Sequence, residues 1–282
     1  MANTIEYAQK FVPVIDGIYK NGALTADLEA TAQVDFSNNK TVKVMKIEAP
    51  GLGDYSRENG YPEGGGSLTW EDLTLEEDRG TEFSVDRMDN EETLGQAFGM
   101  FMNEFMRTKV IPELDAFRFA KYAKAVTPVA ANLADGAAVI AALRKAATEM
   151  DEKEVPTESR LLYITPTLYG LVEDMDTTKS RAVFARFGKI VQVPQTRFYT
   201  DITLNSGAGA WGYAKGADAK NLNFLVVDKS AVVQKVKFVL PKIFTPDENQ
   251  DKDAWKFQYR HYHDALVYEN KVAGIYAHCA TT

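Results

Sequence analysis

The sequence predicts an α+β fold carrying projections, on three observations. From Val126 onward, short apolar strands and helices follow one another irregularly instead of winding as regular βαβ units. A single helical pattern starts near Asn90 and runs to about Ala125, interrupted at Pro112. Two β-rich segments flank a loop, Pro50 to Gly66, that holds six of the chain's 19 glycines.

Composition sets the frame. At 282 residues, with 45% hydrophobic and 26% charged residues and a mean hydropathy of -0.28, the chain has the make-up of an ordinary globular protein. The longest clean apolar run, Ala137 to Leu143, is far shorter than the roughly 20 residues that span a bilayer. The opening Met1 to Glu6 lacks the basic and apolar regions of a secretory signal, which predicts a protein that stays where it is made. A single cysteine, Cys279, excludes an internal disulfide framework and a cysteine-built zinc site. Thirty-two basic against forty acidic residues give a net charge of -8, which argues against a sequence-reading nucleic-acid binder.

The first 39 residues read as an arm. Ile5, Ala8, Val12, Ile15 and Tyr19 recur at helical spacing, with Pro13 as a kink, so the arm lies either on its own chain or on a neighbour. Thr41 to Glu48 reads as a strand and Ser67 to Val85 as its return. Both slip phase, which predicts a bulge or strong twist. Each hairpin arm of about eight residues spans roughly 26 Å, more than its few apolar side chains can support. The hairpin is therefore either a flexible surface loop or a projection supported by another subunit. Lys40, Lys43 and Lys46 on the outgoing strand face an acidic return, Glu71, Asp72, Glu76, Glu77 and Asp78. That run is either a solvated face or a stripe matched to basic groups of a neighbour such as Arg181, Arg186 or Lys189.

Asp89 or Asn90 caps the long helix, with Glu91 and Glu92 at the positive end of its dipole. Leu94, Phe98, Phe101, Phe105, Leu114 and Phe117 form its apolar stripe. Met88, Met100, Met102 and Met106 are adaptable packing. Asp135-Gly136 opens an alanine-rich helix to Met150, Leu161 to Ile164 is a buried strand, and Pro166 starts a helix toward Met175. Ile190–Val193, Asp201–Leu204, Gly212–Ala214 and Phe224–Val227 are further short strands. Lys229 to Lys237 is a linker, Pro241 to Asp253 a polar stretch, and Trp255 to Ala277 a strand pair returning to the long helix.

Little of this carries chemistry. Gly207, Gly209 and Gly212 spell GxGxxG, but a dinucleotide site needs a helix to start at the third glycine. Only nine residues, Tyr213 to Asn221, separate it from the next strand, so the motif is a turn. His261, His263 and Asp264 are the residues a metal-dependent enzyme would use; structural histidines in an aromatic strand are the simpler reading. No HExxH, GxSxG or phosphate-binding loop occurs, so no catalytic, cofactor-binding or metal residue is assigned and no cofactor is expected.

The order of arm, projecting hairpin, long bent helix, α+β lobe and returning aromatic strands resembles the major capsid protein of tailed bacteriophages, a fold shared with encapsulin shells. Two stretches carry the resemblance in sequence, EDRGTEFSVDRMDNEET (Glu77–Thr93) and KIFTPDENQDKDAWKFQYRHYHDALVYENKVAGIY (Lys242–Tyr276), which are similar to siphophage capsid proteins of Gram-positive hosts. The resemblance implies an N-terminal arm (1–39) and a hairpin extended loop (40–88). It implies a peripheral domain built on the spine helix (89–125 with 236–282) and an axial domain (126–235). It further implies an icosahedral shell of hexamers and pentamers around double-stranded DNA, a separate scaffolding protein and a portal protein, assembled in the host cytoplasm without a membrane. An encapsulin-like compartment holding protein cargo is the alternative. Candidate inter-subunit contacts on this reading are Lys43, Lys46, Arg57, Trp70, Glu71, Glu76, Glu77, Arg79, Arg181 and Arg186.

Some members of the family cross-link a loop lysine to a neighbour's asparagine. No lysine lies between Lys46 and Lys109, so the loop tip holds no such nucleophile. The shell is predicted to be non-covalent: boiled in SDS, intact particles should run as a single monomer band, and a ladder would contradict this.

Overall fold

The computed structural model describes residues 22–29, 41–48, 51–58, 60, 64–88, 96–175 and 178–281. The Ile5–Tyr19 pattern, the capping residues Asp89 to Glu92, and Leu94 fall outside them.

The body is built on two sheets that share one long helix. Strands β4 (Val129–Ala130), β5 (Arg160–Ile164), β6 (Lys189–Gln192), β9 (Leu222–Asp228) and β12 (Ile275–Cys279) form a mixed sheet in the order β4-β12-β9-β5-β6. Its central strands read as unbroken apolar runs because both faces are covered. On one face Leu161, Tyr163, Leu225 and Val227 pack against Phe117, Phe119 and Tyr122 of the long helix. On the other, Leu162, Ile164, Phe224 and Val226 meet Val139, Leu143, Ala147 and Met150 of α3 (Gly136–Glu152), with Leu168 and Val172 of α4 (Pro166–Glu173). Asp135 caps α3 by accepting the backbone N–H of Ala138 at 2.7 Å. Helix α5 (Thr178–Phe184) completes that layer.

The second sheet has the order β10-β11-β3, from β10 (Val232–Phe244), β11 (Ala254–Val267) and β3 (Glu77–Asp86). Phe257 and Tyr259 pack with Met102 and Met106 of the long helix, and Phe83 and Phe105 join them. Three expectations change here. The segment Lys229–Lys237 is not a linker, since β10 begins at Val232 and runs through Pro241. Proline is tolerated there because β10 is an edge strand, with a register shift between Val236 and Phe238. The tail is not a strand pair either: β11 lies between β10 and β3, while β12 crosses to the other sheet between β4 and β9. The predicted return strand is two strands, β2 (Ser67–Thr74) and β3, parted at Leu75 and Glu76. Only β2 pairs with β1 (Thr41–Glu48), in unbroken register from Thr41 opposite Thr74 to Glu48 opposite Ser67. The predicted bulge is absent: the slip from Trp70 to Leu73 falls inside β2, whose register with β1 is unbroken, and the change of sheet follows at Leu75 and Glu76.

The long helix is α1 (Gln96–Phe105), a π-helical turn (Met106–Val110) and α2 (Ile111–Lys124). Pro112 lacks an N–H and its ring would crowd the carbonyl of Thr108, so the ladder widens just before it. The N–H of Ile111 reaches back five residues to Met106. The buried stripe of α1 is also one position removed from the expected one: Met102 and Met106 face the core, whereas Met100 and Phe101 are exposed.

Helix α2 is buried on nearly every side, which forces Asp115 and Arg118 into the interior. Residues from the start of the chain satisfy them. Asp115 accepts the backbone N–H groups of Leu24 (3.1 Å) and Thr25 (3.2 Å) and the Thr25 hydroxyl (2.8 Å). Arg118 donates to that hydroxyl and to Glu29, each at 2.8 Å. Arg197, on the loop after β6, completes the group at 3.3 Å from Asp115. Burial pushes the Asp115 carboxyl up, against the donors and the two arginines. The chain start, the helix and the larger sheet are therefore bolted together by one charge-balanced cluster. Asp115→Ala is expected to cost about 3–5 kcal/mol, because it leaves the N–H groups of Leu24 and Thr25 without their acceptor and removes the buried charge that offsets Arg118 and Arg197. Lys145→Ala, at an exposed pair 3.8 Å from Glu149, should cost less than about 0.5 kcal/mol. Urea unfolding midpoints of the two variants give the comparison.

Candidate functional site

The described part of the molecule with least support from its own chain is the hairpin β1–β2. Its root is fixed. Glu71 is buried and accepts the backbone N–H of Glu269 at 3.2 Å. The Leu75 side chain is fully buried and its carbonyl accepts the Tyr262 hydroxyl at 2.7 Å. The N–H of Glu76 donates to Asp264 at 3.1 Å. Beyond the root, Leu68 and Trp70 are exposed on one face of β2, and Leu52 and Tyr55 are exposed in the tip loop. Four large apolar side chains are thus exposed on this ribbon.

The candidate contact residues divide accordingly. Trp70 and Arg57 are exposed on the projection. Lys43 and Lys46 belong to β1, with Lys43 opposite Asp72; their side chains, like that of Arg181, fall outside what is described. Glu71 belongs to the root. Glu76 lies between the two sheets, and Glu77 and Arg79 lie on β3, so the acidic return is not one stripe. Burial raises the Glu77 carboxyl, helped by the charge of Asp264 and opposed by Lys121. Asp78 pairs with Arg260 at 2.5 Å, Lys189 with Asp27 at 2.5 Å and Arg186 with Asp151 at 3.6 Å, all within one chain.

Arg79 has a larger role than a rim charge. From β3 it donates to Glu113 of α2 at 2.8 Å and to the backbone carbonyls of Asn205 (2.7 Å) and Gly212 (3.3 Å). Those carbonyls belong to the loop between β7 (Ile202–Leu204) and β8 (Tyr213–Lys215). One guanidinium thus ties the strand that follows the hairpin root to the spine and to this small second hairpin. The GxGxxG glycines form the β7–β8 turn: Gly207 and Gly212 have φ of 86° and 75°, a conformation that favours glycine. The Trp211 ring also lies over Gly207, where a Cβ would approach it to 3.1 Å.

His261 and His263 share one face of β11 with ring centroids 4.4 Å apart, both buried, and Phe117 meets His263 edge-on at 5.2 Å. Asp264 points the other way, to Glu76, to Lys121 at 3.6 Å and to the N–H of Ala265. The three do not converge, and among the described residues no group of three or more histidine, cysteine, aspartate or glutamate side chains is placed to hold a metal ion. Burial, reinforced by Arg118, pushes His261 down to about 3. Burial and then His261 hold His263 well below its usual range.

A model of the family described as phage capsid protein matches residues 71–277. The fold is similar to the capsid structure of the cyanophage P-SCSP1u, at 17% identity and a TM-score of 0.60 over 87% of this chain and 85% of that one. It is also similar to the capsid of Staphylococcus phage Andhra, at 11% identity and 0.57 over 89% and 83%. The virus-like particle from Pyrococcus furiosus aligns at 11% identity and 0.59 over 96% and 99%. Identities this low establish the fold alone. A search of curated proteins finds no relative, and no helix among the described residues is long and apolar enough to cross a membrane.

The two imidazoles give a signed pH prediction. Between about pH 6.5 and about pH 3 the unfolded chain binds a proton that folded His261 refuses, and the lowered His263 acts in the same sense, so stability falls as pH drops below about 6.5. The loss between about pH 7 and about pH 5 is expected to be about 2 kcal/mol from His261, with His263 acting in the same direction. Thermal melts of the subunit at the two pH values check it, and equal melting temperatures would contradict it.

Proposed function

The chain belongs to the phage capsid protein family and is a major capsid shell protein, a component of the virion; we propose that its shell is built of hexamers and pentamers and encloses packaged double-stranded DNA. The observation that carries this reading is the hairpin: a ribbon anchored at Glu71, Leu75 and Glu76 and displaying Leu52, Tyr55, Leu68 and Trp70 to solvent. Such a ribbon gains little from its own chain and much from a neighbour's surface. The protein's work is then assembly and not chemistry.

Residues 1–39 serve as the arm and residues 40–76 as the extended loop proper. The spine with β3, β10 and β11 forms the peripheral unit, and residues 126–231 with β12 form the axial unit around the symmetry axes. A net charge of -8 suits a container, because a strongly basic inner wall would condense DNA onto itself. Scaffolding and portal functions come from separate chains, and assembly takes place in the host cytoplasm before packaging.

Deleting Pro50 to Gly66 is expected to leave a folded, soluble subunit, judged by circular dichroism, that forms no closed shells by electron microscopy when co-expressed with its scaffold. Shells of normal size from the deletion variant would overturn the proposal.

A further inference from the structure

Beside the Arg79 junction lies an open cavity of about 640 Å³, within the range of small-molecule sites. Three parts of the fold meet around it: Phe83 and Tyr259 of the three-stranded sheet, Phe101 and Phe105 of α1, and Trp211 of the β7–β8 turn. Phe83 and Phe101 have ring centroids 4.3 Å apart and the Trp211 ring lies against Gly207, so the aromatic groups are held in place before anything binds. Phe101 is 50% exposed and Trp211 71%, which leaves ring faces open to water at the rim. The π-helical turn contributes Thr108, Lys109 and Val110 to the same wall. Such turns interrupt the regular ladder and are frequent where a helix serves a site.

The charged groups of the lining are few and mostly of one sign. Arg79, Lys109 and Lys215 stand against a single carboxylate, Glu113. Arg79 is taken up by Glu113 and by two backbone carbonyls. Lys215 donates to the neutral side chain of Asn221 at 3.0 Å, a contact that leaves its charge unbalanced, and Lys109 is exposed. Two positive charges are therefore left over at the cavity of a chain whose net charge is -8. His261 and His263 also line it, each only 4% exposed, and the Nδ1 atom of His263 has no hydrogen-bond partner. Burial keeps that imidazole neutral, with one N–H and one acceptor nitrogen. A buried ring nitrogen without a partner destabilises the empty protein, and a bound group that meets it removes the penalty.

We propose that this cavity is a binding site for a small planar aromatic anion, its rings against Phe101 and Trp211, its anionic group facing Lys109 and Lys215, and a hydrogen-bonding group at its other end meeting His263. The aromatic faces supply the desolvated contact, the left-over charges select an anion over a neutral ring, and the histidine favours a ligand that can hydrogen-bond. Because the lining comes from the spine, the three-stranded sheet and the β7–β8 turn, a bound ligand braces all three and raises the melting temperature of the subunit. The site is complete within one subunit and does not depend on how subunits meet.

Isothermal titration of the unassembled, full-length subunit with three related probes tests it. The first, 6-hydroxynaphthalene-2-sulfonate, carries rings, anion and hydroxyl; it should bind at a single saturable site and raise the melting temperature. The other two are 2-naphthol, which lacks the anion, and naphthalene-2-sulfonate, which lacks the hydroxyl, and each should bind at least threefold more weakly. Phe101→Ser/Trp211→Ala and, separately, Lys109→Glu alter only exposed side chains. Each should weaken the first probe at least tenfold while circular dichroism is unchanged. Leu68→Ser/Trp70→Ser removes exposed apolar groups of the hairpin and should leave the affinity as it was. Absence of saturable binding, equal affinity for the three probes, or binding that is lost in the hairpin variant and kept in the cavity variants would overturn the proposal.

Discussion

The structure depends on the burial of two opposite charges in one helix. Asp115 and Arg118 lie three residues apart on a segment covered on nearly all sides, where an unpaired charge would be prohibitive. Their partners come from elsewhere: Thr25 and Glu29 from the chain start, Arg197 from the loop after β6. The cluster is neutral in sum, with two carboxylates and two guanidinium groups. Its formation requires the start of the chain, the spine and the five-stranded sheet to be in place together. An apolar contact would tolerate sliding, whereas this arrangement specifies one register.

That rigidity has a use in a shell protein. A subunit repeated many times must present the same surfaces each time, so the body that carries them has to be one solid. The spine serves both sheets: α1 packs on the three-stranded sheet and α2 on the five-stranded one, with the π-helical turn before Pro112 between them. Arg79 adds a second tie, from β3 across Glu113 to the β7–β8 turn. Against this fixed body the hairpin is anchored at its root, and Leu52, Leu68 and Trp70 on it are exposed. The division suits a shell subunit, with the body setting geometry and the ribbon proposed above to make contact between copies.

Much of this was legible in the sequence, for physical reasons that can be named. Segments whose fate is local were read closely: the Asp135 cap, the proline at the start of α4, and the apolar runs of β5 and β9. The hairpin was legible because its glycines and lack of apolar mass are visible in the residues themselves. What was missed depends on long-range pairing. The break at Leu75 and Glu76 is hidden because two strands in different sheets share one β-rich run. Pro241 concealed β10, since proline argues against a strand unless the strand is known to lie at an edge. Phe101 was read as core, although the neighbouring Met102 is the residue that packs inward. Asp115 and Arg118 do give a signal, two charges inside the apolar run Leu114 to Ala120, but their partners lie about 90 residues away in sequence and cannot be chosen from it.

The central claim is that this chain acts by laying its hairpin on another copy of itself. A cryo-electron microscopy reconstruction of the assembled particle tests it most directly. The account predicts a closed icosahedral shell in which residues 41–74 cross onto an adjacent subunit. A shell in which each hairpin folds back on its own chain, or a protein that remains a uniform monomer in the presence of its scaffold, would contradict it.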